Sequence, residues 1–176
     1  ASAGLNAYIP LLTIALLAKF TDLIHLNEPW NGMTSWWVIG VLIVLTIIEI
    51  LADAFPGVNH ANDIVQSFIR PVAGAIVFAA ASSQVGDVNP VLGLIAGLLV
   101  SGGVHAVKAM AVRPAINLAT GGVGNVPASI GEQATSTLVS VLSVVVPVVI
   151  IILLVMLIGI VGIWLSRRNR KTQKSL

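Results

Sequence analysis

The sequence predicts an all-α fold, a polytopic transmembrane helical bundle of about five spans with one or two broken or re-entrant segments. Three observations carry this. First, 57% of the 176 residues are hydrophobic and 9% are charged, whereas soluble domains carry about 25% charged residues. Second, a chain this short has no core large enough to hide that much apolar surface from water, so part of its solvent must be lipid. Third, the apolar residues run continuously and do not alternate, which argues against a transmembrane β-barrel.

The first apolar segment, from about Asn6 to Leu17, is short for a span of about 20 residues and contains Pro10. It reads either as a broken or re-entrant helix start or as an ordinary span with a tolerated proline. Residues 20–34 are the clearest loop, with turn chemistry at Asn27, Pro29 and Asn31-Gly32. Trp30, Trp36 and Trp37 stand where an interfacial aromatic belt is expected.

The second span covers residues 36–54, with Ser35 as its N-cap and Glu49 and Asp53 one turn apart near its end. Phe55-Pro56-Gly57 predicts a break. Asn59 is expected to cap the third span, residues 62–82, and Pro71 to kink it. At 100° per residue, His60, Asp63, Ser67, Arg70 and Gly74 fall within about 80° of one another, a polar stripe that lipid should force inward.

Asp87, Asn89 and Pro90 predict the start of a fourth span, residues 90–111. Gly93, Gly97 and Ser101 recur every four residues along it, a helix-packing row that leads to His105. Arg113-Pro114 is expected to end that helix. The Gly- and Pro-containing stretch after it is expected to be a re-entrant or buried loop. Ser129-Ile-Gly-Glu132 matches a capping box and predicts the start of a last helix whose apolar part, residues 138–165, is divided by Pro147.

Five of the nine basic residues lie in 167–176. The expected organisation is therefore one transmembrane domain, 1–166, and a basic tail, 167–176, held in the cytoplasm by the positive-inside rule. The absence of cysteine removes disulfides and thiol chemistry. No nucleophile elbow, P-loop or H-E-x-x-H occurs, so neither an enzyme nor a bound cofactor is expected. The net charge of +2 gives no reason to expect nucleic acid as a partner.

Two echoes hint at an internal repeat. H-A…R-P occurs at 60–71 and 105–114, and Asn precedes Pro ahead of an apolar helix at 6–10 and 125–127. Repeated halves with broken helices mark binding sites in transporter folds.

Read together, S-A-G-L-N-A-Y, E-I-L-A-D-A-F-P-G-V-N-H-A-N-D, F-I-R-P-V-A-G-A, H-A-V-K-A-M-A-V-R and T-G-G-V-G-N-V-P-A-S-I-G-E resemble, in order, a bacterial family of integral membrane proteins, domain of unknown function 4126. The resemblance covers about residues 2–147 and implies a multi-pass membrane protein with no activity to transfer. It also implies Lys, Asp and a further acid where Ala54, Asn59 and Gln133 stand here.

The ionisable residues expected at membrane depth are Glu49, Asp53, Asp63 and Glu132 against Arg70, Lys108 and Arg113, with His60 and His105 beside them. Isolated charges in hydrocarbon cost at least about 2.5–3.5 kcal/mol each, so they should pair. Asp63 is expected to meet Lys108 or Arg113, and Arg70 to meet Glu49 or Glu132. Two functions fit this set. One is a small transporter or channel-like protein of the inner (plasma) membrane, passing a proton, ion or small solute through that polar core. The other is a structural or assembly protein whose pairs only hold the bundle together. Glu49, Asp53, His60 and Asp63 are also weak candidates for a metal site. Beyond the lipid bilayer, a homodimer formed through the Gly93, Gly97 and Ser101 face is a candidate partner.

Overall fold

The computed structural model describes the backbone of residues 1–54, 56–83 and 89–172. It also describes their side chains, except at 54, 56, 57, 59 and 60 and at all positions beyond 146 other than 149, 156 and 158. The helices are α1 (Ser2–Leu5), α2 (Tyr8–Phe20), α3 (Trp36–Ala54), α4 (Pro56–Ser82), α5 (Pro90–Val107), α6 (Arg113–Thr120) and α7 (Asn125–Thr172), with a π-helical turn, Lys108–Val112, between α5 and α6. By length and composition, four stretches of the described residues can cross a membrane: Trp36–Asp53, Ala61–Ser82, Pro90–Thr120 and Asn125–Val146. Tyr8–Phe20 is apolar but shorter.

The first segment is a broken helix. Asn6 is extended (φ −142°, ψ 132°) between α1 and α2. Its side-chain oxygen accepts from the backbone N–H groups of Tyr8 and Ile9, at 3.1 and 2.9 Å. A buried amide thus caps α2 and satisfies donors that lipid could not. Pro10 sits in the first turn, where it displaces no helical hydrogen bond.

Ser35 caps α3 as expected, accepting from Val38 N–H at 3.3 Å. Trp36 is largely exposed. It carries the Lys19 ammonium 4.4 Å above its ring and Phe20 edge-on at 5.8 Å, contacts suited to a membrane–water interface.

Several expected boundaries move. Pro56 opens α4, since its fixed φ suits a first turn, so Asn59 lies inside the helix and is not its cap. The helix passes through Pro71. Asn89 caps α5, its side-chain oxygen accepting from Val91 N–H at 2.9 Å, while Asp87 lies outside the described residues. Arg113-Pro114 does not end the fourth helix. The π turn widens the backbone ahead of the proline, with the Arg113 N–H donating to the Lys108 carbonyl, and α6 continues through Pro114. The stretch expected to be re-entrant is instead α6 followed by a turn at Gly121 (φ 63°) and Gly122 (φ 92°), left-handed angles that glycine adopts freely. Leu118 and Val123 on it are largely exposed.

The last helix begins at Asn125, four residues before the expected cap, and its helical assignment runs past Pro147. The apolar stretch among the described residues is Asn125–Val146, and most of the expected 138–165 falls at positions whose side chains lie outside the described residues. Ser129, Ser136 and Ser140 are buried.

The chain forms two compact units, residues 1–141 and 142–176. In the first, α4 packs most extensively on α5, and α1 touches both. Gly74 on α4 faces Gly97 and Ser101 on α5 so closely that a Cβ there would collide with Ser101 and the Gly97 carbonyl. The row packs on α4 of the same chain. A hydrophobic core, Ala3, Ala7, Tyr8, Leu11, Ala15, Ile39, Leu42 and Ala73, joins α1–α2 to α3 and α4. The second unit is the helical continuation to Thr172, with Val145, Val149, Met156 and Ile158 exposed as a lipid-facing helix requires.

Candidate functional site: a charged core opening on a cavity

The close approach of α4 and α5 positions the site. Gly93, Gly97, Ser101 and His105 are all buried along one face of α5. Ser101 Oγ donates to the Arg70 carbonyl at 2.7 Å. One turn further, His105 Nδ1 lies 3.1 Å from Arg70 Nη1 and its Nε2 lies 3.0 Å from Ser67 Oγ. A guanidinium only donates, so Nδ1 must accept. Nε2 therefore carries the proton of a neutral imidazole and donates to Ser67, whose hydroxyl donates to the Asp63 carbonyl at 2.8 Å. Arg70 Nη2 donates to Glu49 Oε1 at 2.9 Å, and neither side chain has exposed surface.

A second knot lies at the π turn. Closing a five-residue turn places Arg113 one turn beyond Lys108, on the same side; in an α-helix residues five apart diverge by about 140°. Both cations reach Glu132 of α7, Lys108 at 2.6 Å and Arg113 at 3.3 Å. Arg113 also lies 3.9 Å from Asp53 and 3.9 Å from Asp63. It donates to Ser129 Oγ at 3.0 Å. Ser129 and Glu132 are thus ligands of this arginine and not a capping box. Lys108 Nζ further approaches the carbonyl of Leu5, the last residue of α1, at 3.5 Å.

The two expected pairings are both present: Arg70 with Glu49, and Asp63 with Arg113. Eight of the nine residues proposed for the polar core fall into these two knots. The ninth, His60, has its side chain outside the described residues. The metal site finds no support: no group of three or more His, Asp or Glu among the described residues is placed to hold an ion. Glu49 is committed to Arg70, while Asp53 accepts from Asn62 at 3.0 Å and faces Arg113.

Sequence reasoning missed the polar partners that carry no charge. Ser136 and Ser140 bond Ser2, tying α7 to α1. Ser129, Ser136 and Ser140, spaced seven and four along an apolar helix, were the available signal, because such spacing places hydroxyls on one face.

The stripe on α4 is dry at one end and open at the other. Arg70 is fully buried, whereas Asp63 and Ser67 line a cavity of about 640 Å³ with Arg113, Asn117, Gly121 and Asn125.

Four helices able to cross a bilayer, a broken fifth and buried ion pairs between them define a polytopic α-helical membrane protein. The chain belongs to the family described as domain of unknown function 4126, whose sequence profile matches residues 1–168. No curated protein and no solved structure matches it.

Proposed function

We propose that this protein is a small transporter or channel-like protein whose solute or ion enters the cavity at Asp63, Ser67 and Arg113. The observation that carries this is the meeting of an ion-pair network with an open cavity at Asp63, a carboxylate 20% exposed against an arginine that is 7% exposed. A purely structural network would have no reason to leave one carboxylate at a cavity wall. The recurrence of H-A…R-P supports the same reading, since each of its arginines takes an acid from another helix, Glu49 for Arg70 and Glu132 for Arg113.

One observation favours the structural alternative for part of the network. Arg70, Glu49 and His105 are buried and bonded to one another, so that end holds the helices in register and does not conduct. The working division is a dry anchor at Arg70 and a wet end at Asp63. In this reading the protein lies in the inner (plasma) membrane with its basic C-terminus in the cytoplasm, and it performs no enzymatic reaction.

The test is a solute-flux screen in reconstituted vesicles. Asp63→Asn abolishes flux with folding retained. If every solute moved by the wild type is moved equally by the variant, Asp63 has no coupling role.

A further inference from the structure

We infer that one face of α3, from Trp36 to Leu45, holds an acyl chain of an anionic phospholipid whose phosphate pairs with the Lys19 ammonium. This site shares no residue with the cavity at Asp63.

Trp36, Trp37, Gly40, Val41, Val44 and Leu45 form two adjacent rows at four-residue spacing, and together they line a groove of about 580 Å³ on a helix long and apolar enough to cross a membrane. Gly40 leaves a notch in it, since a Cβ there would meet nothing within 4 Å. From Trp36 to Leu45 the groove runs about 14 Å at about 1.5 Å per residue, or about half of a hydrocarbon core of about 30 Å. That is the depth of one leaflet, entered at the level where tryptophans meet headgroups. A second helix suits this face poorly. Close helix packing in lipid needs small residues in series, and Gly40 stands alone among two tryptophans, two valines and a leucine. A single thin, flexible chain fits the groove.

Charge selects the headgroup. Lys19 Nζ lies 4.4 Å from the centre of the Trp36 ring, so a cation stands at the interfacial end of the groove. It donates to the Thr34 carbonyl at 2.7 Å, which leaves two of the three ammonium N–H groups for other acceptors. Among the described residues no carboxylate reaches ion-pair distance of Lys19, Asp22 and Glu28 of the adjoining loop included. A cation without a counter-ion at the headgroup surface attracts anionic lipid. A choline or ethanolamine headgroup brings a cation of its own and cancels that attraction.

The test is quenching of tryptophan fluorescence in the full chain, reconstituted in phosphatidylcholine vesicles with increasing fractions of phosphatidylglycerol carrying brominated acyl chains. The chain has four tryptophans. Trp30→Phe with Trp164→Phe leaves Trp36 and Trp37 as the reporters and keeps lipid held at the basic tail out of the signal. Brominated phosphatidylglycerol quenches as a lipid bound about fivefold more tightly than brominated phosphatidylcholine, and brominated phosphatidylethanolamine matches phosphatidylcholine. Lys19→Gln removes the preference. Gly40→Leu fills the notch with a side chain that displaces the acyl chain, and removes it too. Both positions lie outside the packed core, so the two variants check each other. Gly131→Leu, which also points into open space but on α7, keeps the preference. Equal quenching by phosphatidylglycerol and phosphatidylcholine in the reporter protein, or a preference that survives Lys19→Gln or Gly40→Leu, overturns the inference. A dimer that Gly40→Leu dissociates would make a second copy of this chain the occupant and would overturn it as well.

Discussion

Arg70 and Glu49 meet at 2.9 Å with no exposed surface on either side chain. Each has spent its hydration on the other, so neither tolerates the loss of its partner. Glu49→Leu or Arg70→Met alone should destabilise the bundle by about 3–5 kcal/mol, while the double variant recovers much of that loss. Thermal unfolding of the four proteins in one detergent gives the coupling directly. Additive losses would contradict the pairing.

His105 stands between Arg70 and Ser67, and the guanidinium on its Nδ1 side assigns the proton to Nε2. The ¹⁵N shifts of a His105-labelled sample near neutral pH should show the neutral Nε2–H tautomer. An Nδ1–H signature would mean that Arg70 is oriented otherwise.

Gly74 and Gly103 both lie in helices, yet only the first is confined. A Cβ at Gly74 meets Ser101 and the Gly97 carbonyl; at Gly103 it meets nothing within 4 Å. Gly74→Val should cost about 1–3 kcal/mol or more by forcing α4 from α5. Gly103→Ala should be neutral or stabilising by up to about 1 kcal/mol through helix propensity. The comparison of unfolding midpoints separates close packing from a general intolerance of substitution.

The π turn can be tested by changing its length. Deleting Ala109 leaves Arg113 four residues after Lys108, about 40° away on one face of an ordinary α-helix, so both cations should still reach Glu132. Inserting an alanine after Ala109 instead turns Arg113 away from Lys108, and stability should fall further than on the deletion. Equal tolerance of both changes would show that the shared side of Lys108 and Arg113 has no role.

Much of the pairing was legible in the chain. Charges in an apolar sequence must pair, and few partners were available, so scarcity narrowed Arg70 to Glu49 or Glu132 and Asp63 to Lys108 or Arg113. The boundaries were less legible. Pro56, Pro114 and Pro147 all read as breaks, yet helix passes through or starts at each. At Pro114 the backbone solves the missing N–H with a π turn, which leaves no composition signal. Ser129-x-x-Glu132 matched a cap by pattern, but its two side chains answer Arg113 instead.

The sequence by itself determined the class of solvent, the helical period, the inward stripe on α4 and the small-residue row on α5, because each follows from local spacing and from the cost of polar groups in lipid. Tertiary structure decided which surface the row packs on, which acid each cation takes, and that the stripe is dry at Arg70 but open at Asp63. Those outcomes depend on how closely two helices approach and on where a cavity remains between them, distances that no residue encodes alone.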